Sequence, residues 1–578
     1  MPGSEEFIQS AVHALEAGGL VVWVKRVALA LGIVAIAVVH MYQFRGLSTS
    51  QAMDQAQIGR AIASGEGWST KIARPLAIGQ LQAHGKDVAQ NIWLDTYNAP
   101  LPPFVDAIAL LAVKAHWKMD VHTVHYAGDK AIATMSLLLF FASVAVMFFT
   151  ARRLFDRRLA LLACGLVLLC EAMWQYSLSG LPQLLLMFLF NSTVYLLVRA
   201  VEAQHLEQSP LKWLIAAGAG FGFLALTHAL TLWIFLGALI FAAFFFRPRG
   251  WSALIMFAVC AVIYLPWLIR TFVICGNFGG VAIYSIFDGI GHGEWNWMRR
   301  LDVDVGSTIL GSFRNKITTG FVSQTAHLFE YFGLSVVALV FFVSLLHAFK
   351  KTETAAIRWV ILAMWGGAVL GMAMYGINEE QGVAANQLHL IFVPLMTCYG
   401  LAYLLVQWNR LSLNFLFARG GFIALLYLLC ALPMIFASPW LSPPKAFVRW
   451  PPYAPPLISV LNDWMKPEEV TATDMPWAVA WYADRRALWL PETIRNMTDF
   501  GDYKTLGGPV NGVYLTPISG TDNTLRDIVK GEYKDWALVI QRNQVLEKFP
   551  LKWNTVALGF ENECIFLSDH DREHAPKQ

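Results

Sequence analysis

The chain has 578 residues, of which 56% are hydrophobic and only 14% charged. Soluble domains carry roughly 25% charged residues, so this composition excludes an ordinary soluble protein. A net charge of +3 gives no footing for nucleic-acid binding, and none of the seven Cys has the spacing of a metal site. Residues 1–26 read as a cytoplasmic amphipathic N-terminus, with Glu5, Glu6 and Glu16 ahead of Lys25 and Arg26. The apolar run that follows lacks a small-residue cleavage site and reads as a retained signal anchor.

A spanning helix needs about 20 mostly apolar residues. Eleven runs qualify, at 27–44, 130–150, 159–177, 182–200, 212–228, 229–246, 252–270, 327–347, 359–377, 389–408 and 420–437. Every second connection between them is basic, as in Arg152, Arg153, Arg157 and Arg158, or Lys350, Lys351 and Arg358. Cytoplasmic loops concentrate such residues, which predicts the N-terminus inside and the C-terminus outside. Residues 100–117 tempt a twelfth span. Asp106 and Lys114 would each cost about 2.5–3.5 kcal/mol at a helix centre, so the run is predicted to lie on the outer leaflet. The membrane domain then covers 27–437, with outer loops 45–129 and 271–325.

Within the spans the main ionisable residue is Glu171, near an outer end, where a role in function and a reach to the interface are equally open. In the first outer loop, Ser50 or Thr49 is predicted to cap a helix running to about Ser64, with Gly65 and Gly67 as its stop. Asp54 is predicted in its first turn, facing the positive end of the helix dipole. An ionised carboxylate there is placed to act as a general base, and on physics alone capping is the simpler reading. Lys71, Arg74, His84, Asp95, Tyr97 and Asn98 follow, either facing an anionic headgroup or lying on a solvated loop.

The Pro-rich stretch PWLSPPKAFVRWPPYAPP opens a segment of different composition, 438–578. Val470–Thr473, Ala487–Leu490, Val513–Thr516 and Ala537–Ile540 are predicted strands. Trp477–Arg485 and the stretch around Thr524–Lys534 are predicted helices, and TVALGF with CIFLSD a closing hairpin. The result is a small soluble α/β domain. Asp474 and the Asp484-Arg485-Arg486 run read as a helix cap and a solvated turn.

The ordered motifs resemble a known family. Asp54, Ala56, Ala61, Gly65 and Gly67 follow a D-x-A-x-x-x-x-A-x-x-x-G-x-G pattern; Ala99-Pro100-Leu101-Pro102-Pro103 follows; then a span ends in ARRLFDRR. YLPWLIRTFVICGNF and NQLHLIFVPLMTCYGLAYL add two later matches. Together they resemble GT-C fold membrane glycosyltransferases that use polyprenyl-phosphate sugars, such as the bacterial lipopolysaccharide-core and lipid A aminoarabinose transferases and the protein O-mannosyltransferases.

The resemblance implies an all-α polytopic membrane domain of GT-C type, followed by the small α/β domain, in the cell inner membrane. It implies sugar transfer from a polyprenyl-phosphate donor, drawn from membrane lipid, to an envelope lipid, glycan or protein acceptor, with Asp54 as base. The substrate-binding positions it implies are Arg60, Lys71, Asp95, Asn98, Gln183, Arg270 and His389. No cofactor is expected, and a divalent cation is the weaker alternative, because Gln55 and Gln183 stand where relatives often carry acids. Two rival readings stand beside it: a transporter or flippase of lipid-linked intermediates, which needs functional polar residues deep in the helices, and a non-catalytic envelope protein that kept the fold, which the missing second acid leaves open.

Overall fold

The computed structural model describes residues 19–86, 93–119, 122–123, 125–288, 290, 297–301, 309–380, 382–411, 418–437, 455–502, 506, 509–519, 528–529, 531–540, 549–551, 553–555 and 564–572. It divides into two compact units, Met1–Arg45 and Gly46–Gln578. The first is described by one helix, α1 (Gly19–Gln43).

In the second unit, α2 (Ser50–Ser64) begins where the Thr49 hydroxyl accepts from the Ala52 amide and ends at Gly65, whose φ of 93° is left-handed. A side chain is disfavoured there and glycine is not. Next come α3 (Leu101–Leu111), α4 (Ala127–Leu154), α5 (Arg157–Leu168), α6 (Glu171–Ser179), α7 (Gln183–His205), α8 (Leu211–Thr227), α9 (Thr231–Phe245) and α10 (Trp251–Cys275). The later long helices are α11 (Thr352–Tyr375), α12 (Val393–Arg410) and α13 (Ala418–Ala437).

Among the described residues, 7 helices are long and apolar enough to cross a membrane, or 8 if the pair α5–α6, bent by 59°, is one span. The chain is a multi-pass membrane protein. Helix length does not establish the expected eleven spans. At 1.5 Å per residue, α8 and α9 rise only about 25 and 22 Å against a hydrocarbon core of about 30 Å. The run at 327–347 is broken into Leu328–Tyr331 and Val336–Ser344, with Gly333 and Leu334 between them at positive φ. Glu171 begins α6 at the bend. Helix α3, with 11 residues, spans only about 16 Å. It packs on α2 so closely that a Cβ at Gly59 would come within 2.9 Å of the Asp106 Cβ.

The C-terminal segment forms a sheet that takes one strand from the segment between α2 and α3. Its strands are β1 (Ile72–Ala73), β2 (Val470–Thr473), β3 (Arg486–Trp489), β4 (Val510–Leu515), β5 (Trp553–Thr555) and β6 (Ile565–Ser568), in the order β1-β3-β2-β4-β6-β5. β1, β3, β2 and β4 run parallel, while β6 is antiparallel to β4 and β5. The β5–β6 pair meets the expected hairpin at its described ends. Ala537–Ile540 is helical, not a strand. The stretch expected to be helical around Thr524–Lys534 lies largely outside the described residues.

Two predicted surface features are anchors instead, Asp474 buried and Asp484 half-exposed. Asp474 is fully buried and accepts hydrogen bonds from the backbone and hydroxyls of Thr516 and Ser519, at 2.7–3.1 Å. Burial pushes its carboxyl up to about 6. Asp484, at φ 54°, pairs with Arg60 (2.8 Å) and Lys71 (2.5 Å) of the first loop. Further docking comes from Trp481 and Tyr482, which donate to Asp129 at the start of α4 (2.7 and 3.0 Å). Arg299, in the segment that follows α10, donates to the Leu490 and Pro491 carbonyls.

Candidate active site

Asp54 lies one turn inside α2, not in its first turn, because the helix begins at Ser50. Dipole support falls off beyond the first turn, and here side chains take over. The buried carboxylate accepts from Arg74 Nη2 and from Asn98 Nδ2 (2.7 Å) through Oδ2, and from Gln57 Nε2 (3.2 Å) through Oδ1. Gln57 also donates to Thr70 Oγ1 (2.8 Å) and accepts from the Lys71 amide (3.1 Å). This ties α2 to the ribbon formed by Ser69–Thr70 and Trp93–Leu94.

Arg74 is the hub. It immediately follows β1 and faces a second carboxylate, Asp95, at 3.7 Å. Its guanidinium lies 4.3 Å from the centre of the Tyr97 ring. Asp95 accepts from the Asn98 amide (2.9 Å), closing a turn that aims the Asn98 side chain at Asp54. Burial raises the Asp95 carboxyl above its ordinary range; Arg74 opposes that rise and Asp54 adds to it. Burial also pushes the Tyr97 phenol up to about 12, so it stays neutral.

Asp54, Arg74, Tyr97 and Asn98 open onto a cavity of about 460 Å³. Tyr264 and Trp267 of the spanning helix α10 form part of its wall, and Trp477 and Trp489 of the C-terminal segment form another. Glu380 also lines it and accepts from Ser50 N (2.7 Å) and Oγ (2.6 Å), at the positive end of α2. Asp288 lines it as well, and burial pushes its carboxyl up to about 7, against the opposing charge of Lys316.

Of the eight residues singled out in the sequence, Asp54 and Asn98 line the cavity, and Asp95 stands behind Arg74. The rest hold the frame. Arg60 donates to the Trp481 and Ala480 carbonyls (2.9 and 2.7 Å), and with Lys71 it binds Asp484. Gln183 donates to the Ala384 and Ala385 carbonyls (3.2 and 2.6 Å), next to the ribbon that carries Glu380. Arg270 donates to the Asp95 and Trp68 carbonyls (3.0 and 3.4 Å). His389 is buried with both ring nitrogens engaged. Nδ1 accepts from Trp365 Nε1 (3.0 Å), which leaves Nε2 to donate to Gln324 Oε1 (3.1 Å). The sequence offers Arg74 only as one of several loop residues that could face a headgroup, and Glu380 not at all; an arginine beside a strand of two residues gives no local signal of the carboxylates it meets.

The donor set at Asp54 does not fit a divalent metal. Its oxygens are taken by a guanidinium and two amides, and a dication there would be repelled by Arg74. Among the described residues no group of three His, Cys, Asp or Glu side chains is placed to hold a metal ion.

A family model, dolichyl-phosphate-mannose-protein mannosyltransferase, matches residues 121–285. No curated protein matches the chain. Among solved structures the chain is similar to ArnT from Cupriavidus metallidurans in the apo state, at 13% identity and a TM-score of 0.56, covering 96% of this chain and 100% of that one. The same protein bound to undecaprenyl phosphate gives 13% and 0.51, covering 95% and 99%. The archaeal oligosaccharyltransferase AglB from Archaeoglobus fulgidus, in complex with an inhibitory peptide and a dolichol-phosphate, gives 13% and 0.51, covering 96% and 75%. The chain has the GT-C fold found in these glycosyltransferases.

Proposed function

We propose that the chain is a glycosyltransferase that moves a sugar from a polyprenyl-phosphate donor to an envelope acceptor at the outer face of the inner membrane. The observation that carries this reading is the contact between Asp54 and Arg74 on the wall of a cavity bordered by a spanning helix. A lipid-linked donor needs such a cavity, because its tail stays in the bilayer while its phosphate and sugar leave it. The likeness to proteins solved with undecaprenyl phosphate and dolichol-phosphate supports the same donor class.

An acceptor hydroxyl or amine attacks the anomeric carbon from the face opposite the phosphate. The new bond forms as the carbon–oxygen bond to phosphate breaks, so the configuration inverts. The bond's electron pair leaves with the phosphate, and the acceptor's proton passes to Asp54. Arg74 stabilises the charge that develops on the phosphate, an electrostatic role of the kind that gives the largest single contribution in many enzymes. Before the donor binds, Arg74 neutralises Asp54. A bound phosphate gives the guanidinium a further anion beside Asp54 and Asp95, loosening its hold on Asp54.

The test is transfer of radiolabelled sugar from a polyprenyl-phosphate donor in membranes containing the chain. Label appearing in lipid, glycan or protein of the envelope is expected. No transfer to any of them would overturn the reading.

A further inference from the structure

We propose that Trp477 and Trp489 form a pyranose-binding subsite of the cavity, so that the C-terminal segment takes part in recognising the sugar; this rests on the glycosyl-transfer reading above. In parallel α/β sheets, ligands bind in the crevice beyond the carboxyl ends of the strands. Arg74 immediately follows β1, Trp489 ends β3, and Trp477 lies four residues beyond the end of β2. These strands are adjacent and parallel, with Ala73 opposite Leu488 and Thr473 opposite Trp489. The strand lent by the segment between α2 and α3 therefore puts the guanidinium beside Asp54 on the same sheet edge as the two indoles.

The two rings meet edge to face, 5.8 Å apart at 89°, and make a right-angled corner. Both are half-buried. The Trp477 Nε1 is buried away from solvent, and the Trp489 Nε1 is directed at the Tyr533 hydroxyl (3.4 Å). What the corner offers the cavity is therefore indole carbon. A pyranose ring has C–H faces that pack on such carbon and a rim of hydroxyls that need polar partners. Asn98, Glu380 and Asp54 supply those partners around the same cavity. A lipid tail would leave the unpartnered Asn98 Oδ1 unmet, at a cost of about 1–3 kcal/mol. The corner is also held in place: the four hydrogen bonds on buried Asp474 fix the turn leading into Trp477, and Leu490 N donates to Thr473 O (2.9 Å).

The test uses the full chain in lipid nanodiscs and saturation-transfer NMR with methyl glycosides of glucose, mannose, galactose and N-acetylglucosamine. At least one glycoside is expected to bind, with the strongest transfer to its ring C–H protons. Trp477→Ala and Trp489→Ala should each weaken that binding about tenfold, and Trp477→Phe should recover part of it. Undecaprenyl phosphate affinity and the unfolding temperature, followed alongside, should stay near wild type. A glycoside displaced by an undecaprenyl-phosphate sugar, but not by undecaprenyl phosphate alone, marks the corner as the place of the transferred ring. One that remains bound marks an acceptor glycan.

Three results would overturn the subsite: no glycoside binding to the folded wild type, binding that survives both alanine variants, or an equal loss of undecaprenyl phosphate affinity. Binding is read without turnover, so failure of glycosyl transfer and failure of the subsite are separable.

Discussion

Replacing Arg74 with Met leaves the Asp54 and Asp95 carboxylates buried beside each other without their shared cation. All three side chains are nearly inaccessible, at 6%, 3% and 1% exposure. The 3.7 Å contact to Asp95 alone carries a gross attraction of about 4.5 kcal/mol at an effective dielectric constant of about 20. Truncating one member of a buried pair costs about 3–5 kcal/mol, chiefly because the remaining charge is stranded.

The cost depends on pH, and its sign follows from Asp95. Its carboxyl is already raised by burial, and loss of Arg74 raises it further. A carboxyl raised above its unfolded value of about 3.9 contributes fully to stability below that value, and this contribution is lost as pH rises through the folded value. The gap in apparent unfolding temperature between wild type and Arg74→Met, measured at one scan rate in detergent, should therefore be wide at pH 8 and narrower at pH 5. An equal gap at both, or no gap at pH 8, would refute the buried cluster of one cation between two carboxylates.

Gly59→Ala should destabilise the chain by about 1–3 kcal/mol, because the added methyl would meet the Asp106 Cβ and the Pro103 carbonyl; thermal unfolding measures it. Burial pushes Asp484 up, but Arg60 and Lys71 outweigh it and hold the carboxyl below its ordinary range. That contribution is present above the unfolded value and is lost as pH falls through the folded one. Asp484→Asn should therefore speed hydrogen exchange in β1 and β3 at pH 7, by a margin over wild type that shrinks as pH falls below the ordinary carboxylate range. Its half-exposed setting limits the loss to about 1 kcal/mol. His389→Leu should lower stability by about 1–3 kcal/mol by stranding Trp365 and Gln324, with undecaprenyl phosphate affinity unchanged. A large loss of that affinity would instead give His389 a direct part in donor binding.

Local signals made part of this legible in the sequence. Thr49 and Gly65 bound α2 as their capping chemistry predicts, and Val470–Thr473 is a strand by its β-branched and apolar residues. Four apolar residues at Ala537–Ile540 carry no period to separate strand from helix, and they are helical. Asp54 is the fifth residue of α2, one residue past the first turn in which the sequence places it. Asp474 and Asp484 looked like surface residues because their partners, Thr516, Ser519, Arg60 and Lys71, lie far away in the chain. β1 has two residues, too few for any pattern, and its pairing with β3 brings Arg74 to the edge that carries Trp489. The cavity lining is assembled by long-range pairing, and a local reading of the sequence sees only its parts.

In the proposed reaction Asp54 takes the acceptor's proton. Its most direct test is single-turnover transfer from a labelled polyprenyl-phosphate sugar by purified wild type and Asp54→Asn, with undecaprenyl phosphate affinity measured on the same preparations. A rate lower by about 10²–10⁴ with donor affinity within a few-fold of wild type is the predicted result. Transfer by Asp54→Asn at the wild-type rate would contradict it.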